Sequence, residues 1–323
     1  MTTTGAPPIK FYPFFDPIRD GRQLSWGLKI GIAIGIGGLY LLLQYTALPD
    51  KTIFFQLYCW ILGVIISTSI LALYITTEIF RRSLVTINEL EAGQSTSQAI
   101  VTNWLSNKWY VVAGLVLATA NTSVGHVLGV PPDYYLSFFS LGVIYIGMFA
   151  AGFAAGMGLL GILAIIVLYL RFAPNLQHAL DPLSPDGIGG IKKLGDSLWF
   201  FGALIGVVGV LISTYMFQVK WTNMYKEYVQ FVFLFWLSLP YILAISIVLI
   251  PGLAVRRQVS YYKNYKGKQL KREKAKLYSS FKKFDAMEDE ALIHEKNQLK
   301  SRLDRNQEEL EKLKQMRNSH LDP

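Results

Sequence analysis

Three residues that could handle a proton or a polar ligand lie inside an apolar stretch at residues 109–129. They are Asn121, Thr122 and His126, and helical spacing puts Thr122 four positions before His126 on the same face. An ionisable group inside a membrane predicts a functional role, such as a proton relay or a gate. The favoured alternative is that His126 is neutral, lies near the outer surface and bonds to a neighbouring helix.

A second candidate site is the polar loop "DPLSPDGIGGIKK" at residues 181–193. Its glycine N–H groups and lysines could bind an anion, and its carboxylates could bind a cation. Pro182 and Pro185 instead predict a tight corner with a type I turn, followed by a helix beginning near Ile191. The corner is the favoured interpretation, and the alternative is a ligand or docking loop formed by Asp181, Asp186, Gly187, Gly189, Gly190, Lys192 and Lys193.

The rest of the sequence carries no recognisable catalytic chemistry. It contains no nucleophile–base pair, metal-ligand spacing or nucleotide fingerprint, so we predict no enzyme activity, no cofactor and no metal site. Cys59 is the single cysteine, which makes an intrachain disulfide impossible. As a lone thiol in an apolar run it is expected to pack as a small hydrophobe.

The composition is that of a membrane protein. Hydrophobic residues make up 52% of the 323 positions and charged residues only 16%, against about 25% in soluble domains. Apolar runs of about 20 residues are long enough to cross a bilayer. We predict an all-α, polytopic bundle of six spans, at residues 27–46, 53–77, 109–129, 136–170, 198–217 and 228–255.

Lysine and arginine set the predicted orientation. Basic residues concentrate in the segments on one side of the six spans and in the tail, which predicts that both termini are cytoplasmic. The N-terminus lacks a signal peptide pattern. The expected organisation is a cytoplasmic segment at 1–26, a bundle at 27–255, a basic stalk at 256–284 and a coiled-coil helix at 285–323, in a plasma or inner membrane.

Small residues at four-residue spacing predict close helix packing in the membrane. Gly27, Gly31 and Gly35 form such a row in the first span, and Gly152 and Gly156 form another in the fourth. The fourth span is predicted to be one long helix, with a break near 147–158 as the lesser alternative. Residues 78–108 are predicted to form two short helices separated at 93–98.

The basic stalk follows the last span directly. Aromatic side chains are interleaved with its basic residues, so it could bind nucleic acid, but its juxtamembrane position favours anionic lipid headgroups. The lipid-facing cluster is predicted at Arg256, Arg257, Lys263, Lys266, Lys268, Lys271 and Arg272.

The last helix carries leucines with the alternating spacing of a heptad and one polar residue at a core position. This seam predicts a homo-oligomer; the alternative is an amphipathic helix that docks on a cytoplasmic protein partner or folds back onto the 78–108 loop. Its members are Leu292, Leu299, Leu303, Asn306, Leu310 and Leu313.

Three functions are compatible with these features. The first is an oligomeric membrane anchor or scaffold that presents the basic tail. The second is an oligomeric channel with the glycine-rich fourth helix and the His126 patch near its conduction path. The third is a secondary transporter, although such proteins normally carry acidic groups at mid-membrane and none is apparent.

Overall fold

The structure is a computed structural model of the chain, and it describes residues 13–16, 24–91, 105–173, 180, 192–285 and 293–316. Most of the described residues are helical, and none of them is in a strand. The helices are α1 (Trp26–Ala47), α2 (Lys51–Phe54), α3 (Leu57–Glu91), α4 (Asn107–Leu128), α5 (Phe138–Phe172), α6 (Lys192–Gln218), α7 (Glu227–Asp285) and α8 (Ile293–Gln315). A short 3₁₀ helix, Pro132–Leu136, lies between α4 and α5.

Six of the described helices are long and apolar enough to cross a membrane, as a multi-pass membrane protein requires. They are α1, α3, α4, α5, α6 and α7, which correspond to the six predicted spans. Helices α1 and α4 begin at one end of the bundle, and α3 and α5 terminate there. We call this the hairpin end. The 3₁₀ helix lies at the opposite end.

Local sequence signals mark several helix boundaries. The Ser25 side chain accepts a hydrogen bond from the Leu28 N–H, and Ser137 accepts one from Phe139, so both serines cap exposed N–H groups at helix starts. Gly129 follows the last residue of α4 with a φ of 83°, a conformation that residues with a side chain rarely adopt.

The third helix is longer than the sequence predicted. We expected a separate short helix to begin near residue 78, but α3 runs unbroken from Leu57 to Glu91. No proline or glycine follows Gly63 in this stretch to interrupt it. Leu84 and Ile87 are buried in the core of the bundle. Residues 92–104 lie outside the described residues, and with them most of the predicted second short helix.

The glycine row of the first span was assigned to the wrong face. A Cβ atom added to Gly27, Gly31 or Gly35 would meet no atom within 4 Å, so these residues do not pack against another described helix. The buried face of α1 instead carries Lys29, Ala33 and Gly37. A glycine repeat alone therefore did not identify the packing face, since α1 has glycines on both sides.

The fourth span contains the predicted packing row. Helix α5 is continuous through residues 147–158, so the single long helix is confirmed. A Cβ at Gly156 would lie 2.3 Å from the Ala113 carbonyl oxygen of α4, and one at Gly152 would lie 2.8 Å from the Ala118 Cα atom. The backbones of α4 and α5 approach this closely because both glycines lack side chains.

Helices α7 and α8 form an antiparallel helical hairpin. Helix α7 spans 59 residues, which corresponds to about 88 Å, and it continues through Pro240 and Pro251. The Lys263 ammonium donates to the Met316 carbonyl oxygen near the base of the hairpin, and Lys274 donates to Gln307 farther along. Leu270 and Leu313 are buried in this contact, so the leucine seam of α8 packs against the chain's own α7.

The polar residue of this seam predicts a stabilising substitution. Asn306 is buried, and its Oδ1 atom has no hydrogen-bond partner among the described residues. Replacing it with leucine should therefore stabilise the hairpin by about 1 kcal/mol. Slower amide hydrogen exchange in α8 of the full-length variant would show this. Asn297→Leu, on the exposed side of the same helix, is the control, and faster exchange in Asn306→Leu would contradict the prediction.

Candidate functional site

A cavity of about 200 Å³ lies between five of the candidate spans. Its lining on α3 extends from Leu62 to Phe80, and on α4 from Tyr110 to Leu128. Each of these stretches covers 18 helical steps, or about 27 Å, so the cavity is elongated along the helices. Among the described residues, none that lines the cavity carries a charge.

The small residues of α5 explain why space remains here. Gly158 and Gly161 line the cavity, and a Cβ added to either would meet no atom within 4 Å. Ala151, Ala154 and Ala155 line the same wall. Gly156 thus allows α4 to approach α5 closely, while Gly158 and Gly161 leave open space beside the helix.

Hydroxyl groups without partners mark this cavity. The Ser69 and Tyr215 hydroxyls are buried, line the cavity and have no hydrogen-bond partner among the described residues. A buried polar atom without a partner costs about 1–3 kcal/mol. Asn121 contrasts with them, because its amide donates to the Met148 carbonyl oxygen at 2.6 Å and its Oδ1 accepts from Trp236 at 3.1 Å.

A buried cluster of polar side chains adjoins the cavity at the opposite end of the bundle. The Cys59 Sγ atom lies 3.3 Å from the Tyr134 hydroxyl, which also accepts a hydrogen bond from Gln44. Burial raises the pKa of Tyr134 well above its usual value. Tyr40 and Tyr215 lie in the same core, and the hydroxyl of each has no partner in the described structure. This cluster was missed by sequence analysis, although Cys59 is buried as expected.

A second missed cluster lies at the hairpin end, where an aspartate from the N-terminal segment is buried against two cations. The Asp16 Oδ2 atom lies 3.0 Å from the Lys29 ammonium and 2.7 Å from the Arg81 guanidinium. The exposed fraction is 0% for the Asp16 side chain and 1% for Lys29, whose ammonium also lies 5.1 Å from the centre of the Trp26 ring. Lys29, a lysine inside the first apolar run, is the sequence signal that could have indicated a buried anion.

Segment 13–16 is held in place by aromatic contacts as well as by charge. Phe15 packs edge-on against Tyr110 and Tyr74, and the Phe14 N–H donates to the Asn107 side chain. The cytoplasmic location of segment 1–26 stays a prediction. Its residues 13–16 pack against the helices of the bundle.

The structure separates the predicted intramembrane polar site. Asn121 lines the cavity, whereas Thr122 donates back to the Ala118 carbonyl oxygen of its own helix. His126 is exposed and its Nδ1 atom lies 3.0 Å from the Tyr145 hydroxyl. The three residues therefore share no site, and His126 has the interhelical hydrogen bond of the favoured alternative.

Most of the predicted ligand loop lies outside the described residues. This applies to Asp181, Asp186, Gly187, Gly189 and Gly190, and the side chain of Lys193 is likewise not described. Lys192 is exposed at the first position of α6. The corner and the ligand loop both stay predictions.

The predicted lipid-facing cluster lies on α7 beyond its apolar part. Arg256, Arg257, Lys268, Lys271 and Arg272 are exposed, while Lys263 and Lys266 are half-buried. Five of the six residues of the predicted leucine seam lie on α8: Leu299, Leu303, Asn306, Leu310 and Leu313. The sixth, Leu292, lies outside the described residues.

Comparison with protein families, curated proteins and solved structures finds no match. The cavity, the two buried clusters and the hairpin are therefore interpreted from their own chemistry.

Proposed function

We propose that this protein is a multi-pass membrane anchor that holds a basic helical hairpin on the cytoplasmic side of the bilayer. The base of the hairpin binds anionic lipid headgroups, and its distal part projects from the membrane as a platform. The observation that carries this proposal is the unbroken helix α7, which joins the last span to the hairpin.

An exposed face of α7 supports the assignment of its partner. Going along the helix at spacings of three or four, with one last spacing of seven, this face carries five basic residues and two tyrosines, all exposed. We call it the basic stripe: Arg257, Tyr261, Tyr265, Lys268, Arg272, Lys276 and Lys283. Tyrosine with arginine or lysine is typical of membrane–water interfaces, and each basic residue near an anionic surface contributes about 1 kcal/mol.

The length of the basic stripe divides it between two environments. From Arg257 to Lys283 it extends about 39 Å along the helix axis. The headgroup layer of one leaflet is only about 5–8 Å thick. A helix that leaves the membrane from its last span therefore places Arg257 and Tyr261 at the headgroups and Lys283 well beyond them.

Intrachain packing of the leucine seam favours a platform formed within one chain. Because Leu313 and its neighbours pack on α7, the hairpin does not need a second copy to bury that face. Oligomerisation remains a prediction, and it would use another surface of the protein.

Fluorescence quenching tests the height of the hairpin above the membrane. Cys59 is fully buried, so a dye can be attached selectively to Ser260→Cys near the base or to Ser279→Cys near the tip, both of which are exposed positions. In proteoliposomes with nitroxide-labelled headgroups, we expect strong quenching at position 260 and little at position 279, about 28 Å farther along the axis.

Equal quenching at both positions would show that the hairpin lies flat on the membrane, and the projecting platform would be wrong. An absence of quenching at position 260 would show that the base of the hairpin lies above the headgroups, and the proposed lipid contact would be wrong.

The lipid preference is tested by measuring how much phosphatidylglycerol copurifies with the protein when it is extracted from vesicles of mixed zwitterionic and anionic lipids. Neutralising Arg256 and Arg257 together, as Arg256→Gln and Arg257→Gln, should reduce this enrichment severalfold, because two headgroup contacts are lost. The matched control is Arg302→Gln with Arg305→Gln on the exposed side of α8. An equal loss in both variants, or no loss in either, would contradict headgroup binding at the base.

A further inference from the structure

We infer that the cavity inside the bundle is a binding site for an uncharged, single-chain amphiphile. The ligand would place its hydrocarbon chain along α3 and α5 and its hydroxyl or carbonyl group near Tyr215. This inference is independent of the anchor function, since the cavity and the hairpin are formed by different residues.

The lining determines the charge class of the ligand. The described walls consist of aliphatic and aromatic side chains with a few serine, threonine, tyrosine and asparagine groups, and they include no charged residue. A phosphate or ammonium group placed here would lose its hydration without gaining a counter-charge, which is strongly unfavourable. A neutral polar group meets no such penalty when it is hydrogen-bonded.

The shape determines the body of the ligand. The lining follows α3 from Leu62 to Phe80 and α4 from Tyr110 to Leu128, about 27 Å along each helix. A volume of about 200 Å³ spread over that length is narrow. A single extended hydrocarbon chain fits such a space, whereas a two-chain phospholipid or a compact ring system does not.

The unpartnered hydroxyls determine the position of the polar group. Tyr215 belongs both to the cavity wall and to the core that contains Tyr40 and Cys59, so its hydroxyl lies where the cavity meets the buried polar cluster. It is 6% exposed and lacks a partner in the described structure. Ser69, also 6% exposed, offers a second unpartnered hydroxyl along the α3 wall. An alcohol or carbonyl oxygen could bond to either group.

Photolabelling of the full-length protein in nanodiscs tests the site. The probe is a long-chain primary alcohol with a diazirine at mid-chain, and the comparison probe is the corresponding alkane. We expect the alcohol to label cavity-lining peptides of α3 and α5. Gly158→Leu should reduce this labelling about fivefold or more, since its side chain would occupy open space in the cavity.

Gly142→Leu is the matched control on the same helix. A Cβ at Gly142 also meets no atom within 4 Å, but the residue does not line the cavity, so labelling should equal that of the unmodified protein. Gly161→Leu provides a second cavity-filling variant in case Gly158→Leu does not fold, as judged by a monodisperse elution profile. Unchanged labelling in folded Gly158→Leu or Gly161→Leu would overturn the proposal.

The polar contact is tested separately with Tyr215→Phe. This variant should weaken labelling by the alcohol about fivefold, which corresponds to one neutral hydrogen bond, and leave labelling by the alkane unchanged. If alcohol and alkane label the unmodified protein equally, the cavity does not recognise a polar group and the amphiphile assignment is wrong. Recovery of a charged phospholipid crosslinked within the cavity would also overturn it.

Discussion

Replacing Asp16 with asparagine is expected to lower the free energy of unfolding by about 3–5 kcal/mol, because the change leaves the buried Lys29 ammonium without its anion. Lys29 is 1% exposed and its ammonium lies 3.0 Å from the Asp16 carboxylate. Arg81 would lose its 2.7 Å contact with the same oxygen. Reversible SDS denaturation of the purified protein, followed by tryptophan fluorescence, measures the loss.

A double substitution distinguishes a lost ion pair from a general disturbance. Asp16→Asn combined with Lys29→Met removes both charges and should recover most of the lost stability, since a methionine can occupy the apolar surroundings of Trp26 and Tyr74. Asp304→Asn, at an exposed position of α8, is the control for removal of a carboxylate and should have little effect. A double variant as unstable as Asp16→Asn would disprove the charge-pair explanation.

Replacing Gly156 with leucine is expected to destabilise the protein by about 3 kcal/mol or more, at the upper end of the cost of overpacking. The added Cβ would lie 2.3 Å from the Ala113 carbonyl oxygen and 2.9 Å from the Gly114 Cα atom. Both are backbone atoms, so no side-chain rotation can relieve the clash. The helices α4 and α5 must therefore separate, and the SDS midpoint should fall sharply.

The control for Gly156→Leu is Gly142→Leu, which adds the same side chain to the same helix at a position with no atom within 4 Å. Its SDS midpoint should match that of the unmodified protein. A similar fall in both variants would mean that leucine itself, rather than contact with α4, lowers stability.

Much of the architecture was predictable because it depends on local composition. A run of about 20 apolar residues can satisfy its backbone hydrogen bonds in a bilayer only as a helix, so all six spans were identified from the sequence. The long fourth span was predicted as one helix for the same reason, and α5 is unbroken. The wrongly predicted break near residue 78 assumed that the helix ends with the apolar run, but a helix continues until a residue terminates it.

The faces that pack could not be predicted, because glycine spacing is compatible with several partners. Gly31 and Gly156 belong to rows with the same period. A Cβ added to Gly31 would meet no described atom within 4 Å, whereas one at Gly156 would clash with the backbone of α4. Only the positions of the neighbouring helices distinguish them. Sequence spacing likewise did not show which residues His126 and Asn121 contact. His126 is exposed beside Tyr145, whereas Asn121, five residues earlier, lines the cavity.

The sequence by itself determined that the chain forms long apolar helices, six of them able to span a membrane, since hydrophobicity and helix length are properties of each segment alone. The tertiary structure decided that Asp16 neutralises Lys29, that the leucines of α8 pack on α7 and that Ser69 and Tyr215 face one uncharged cavity. These features join residues far apart in the chain. Such contacts depend on how the helices are arranged around one another, which the periodicity of a single helix does not specify.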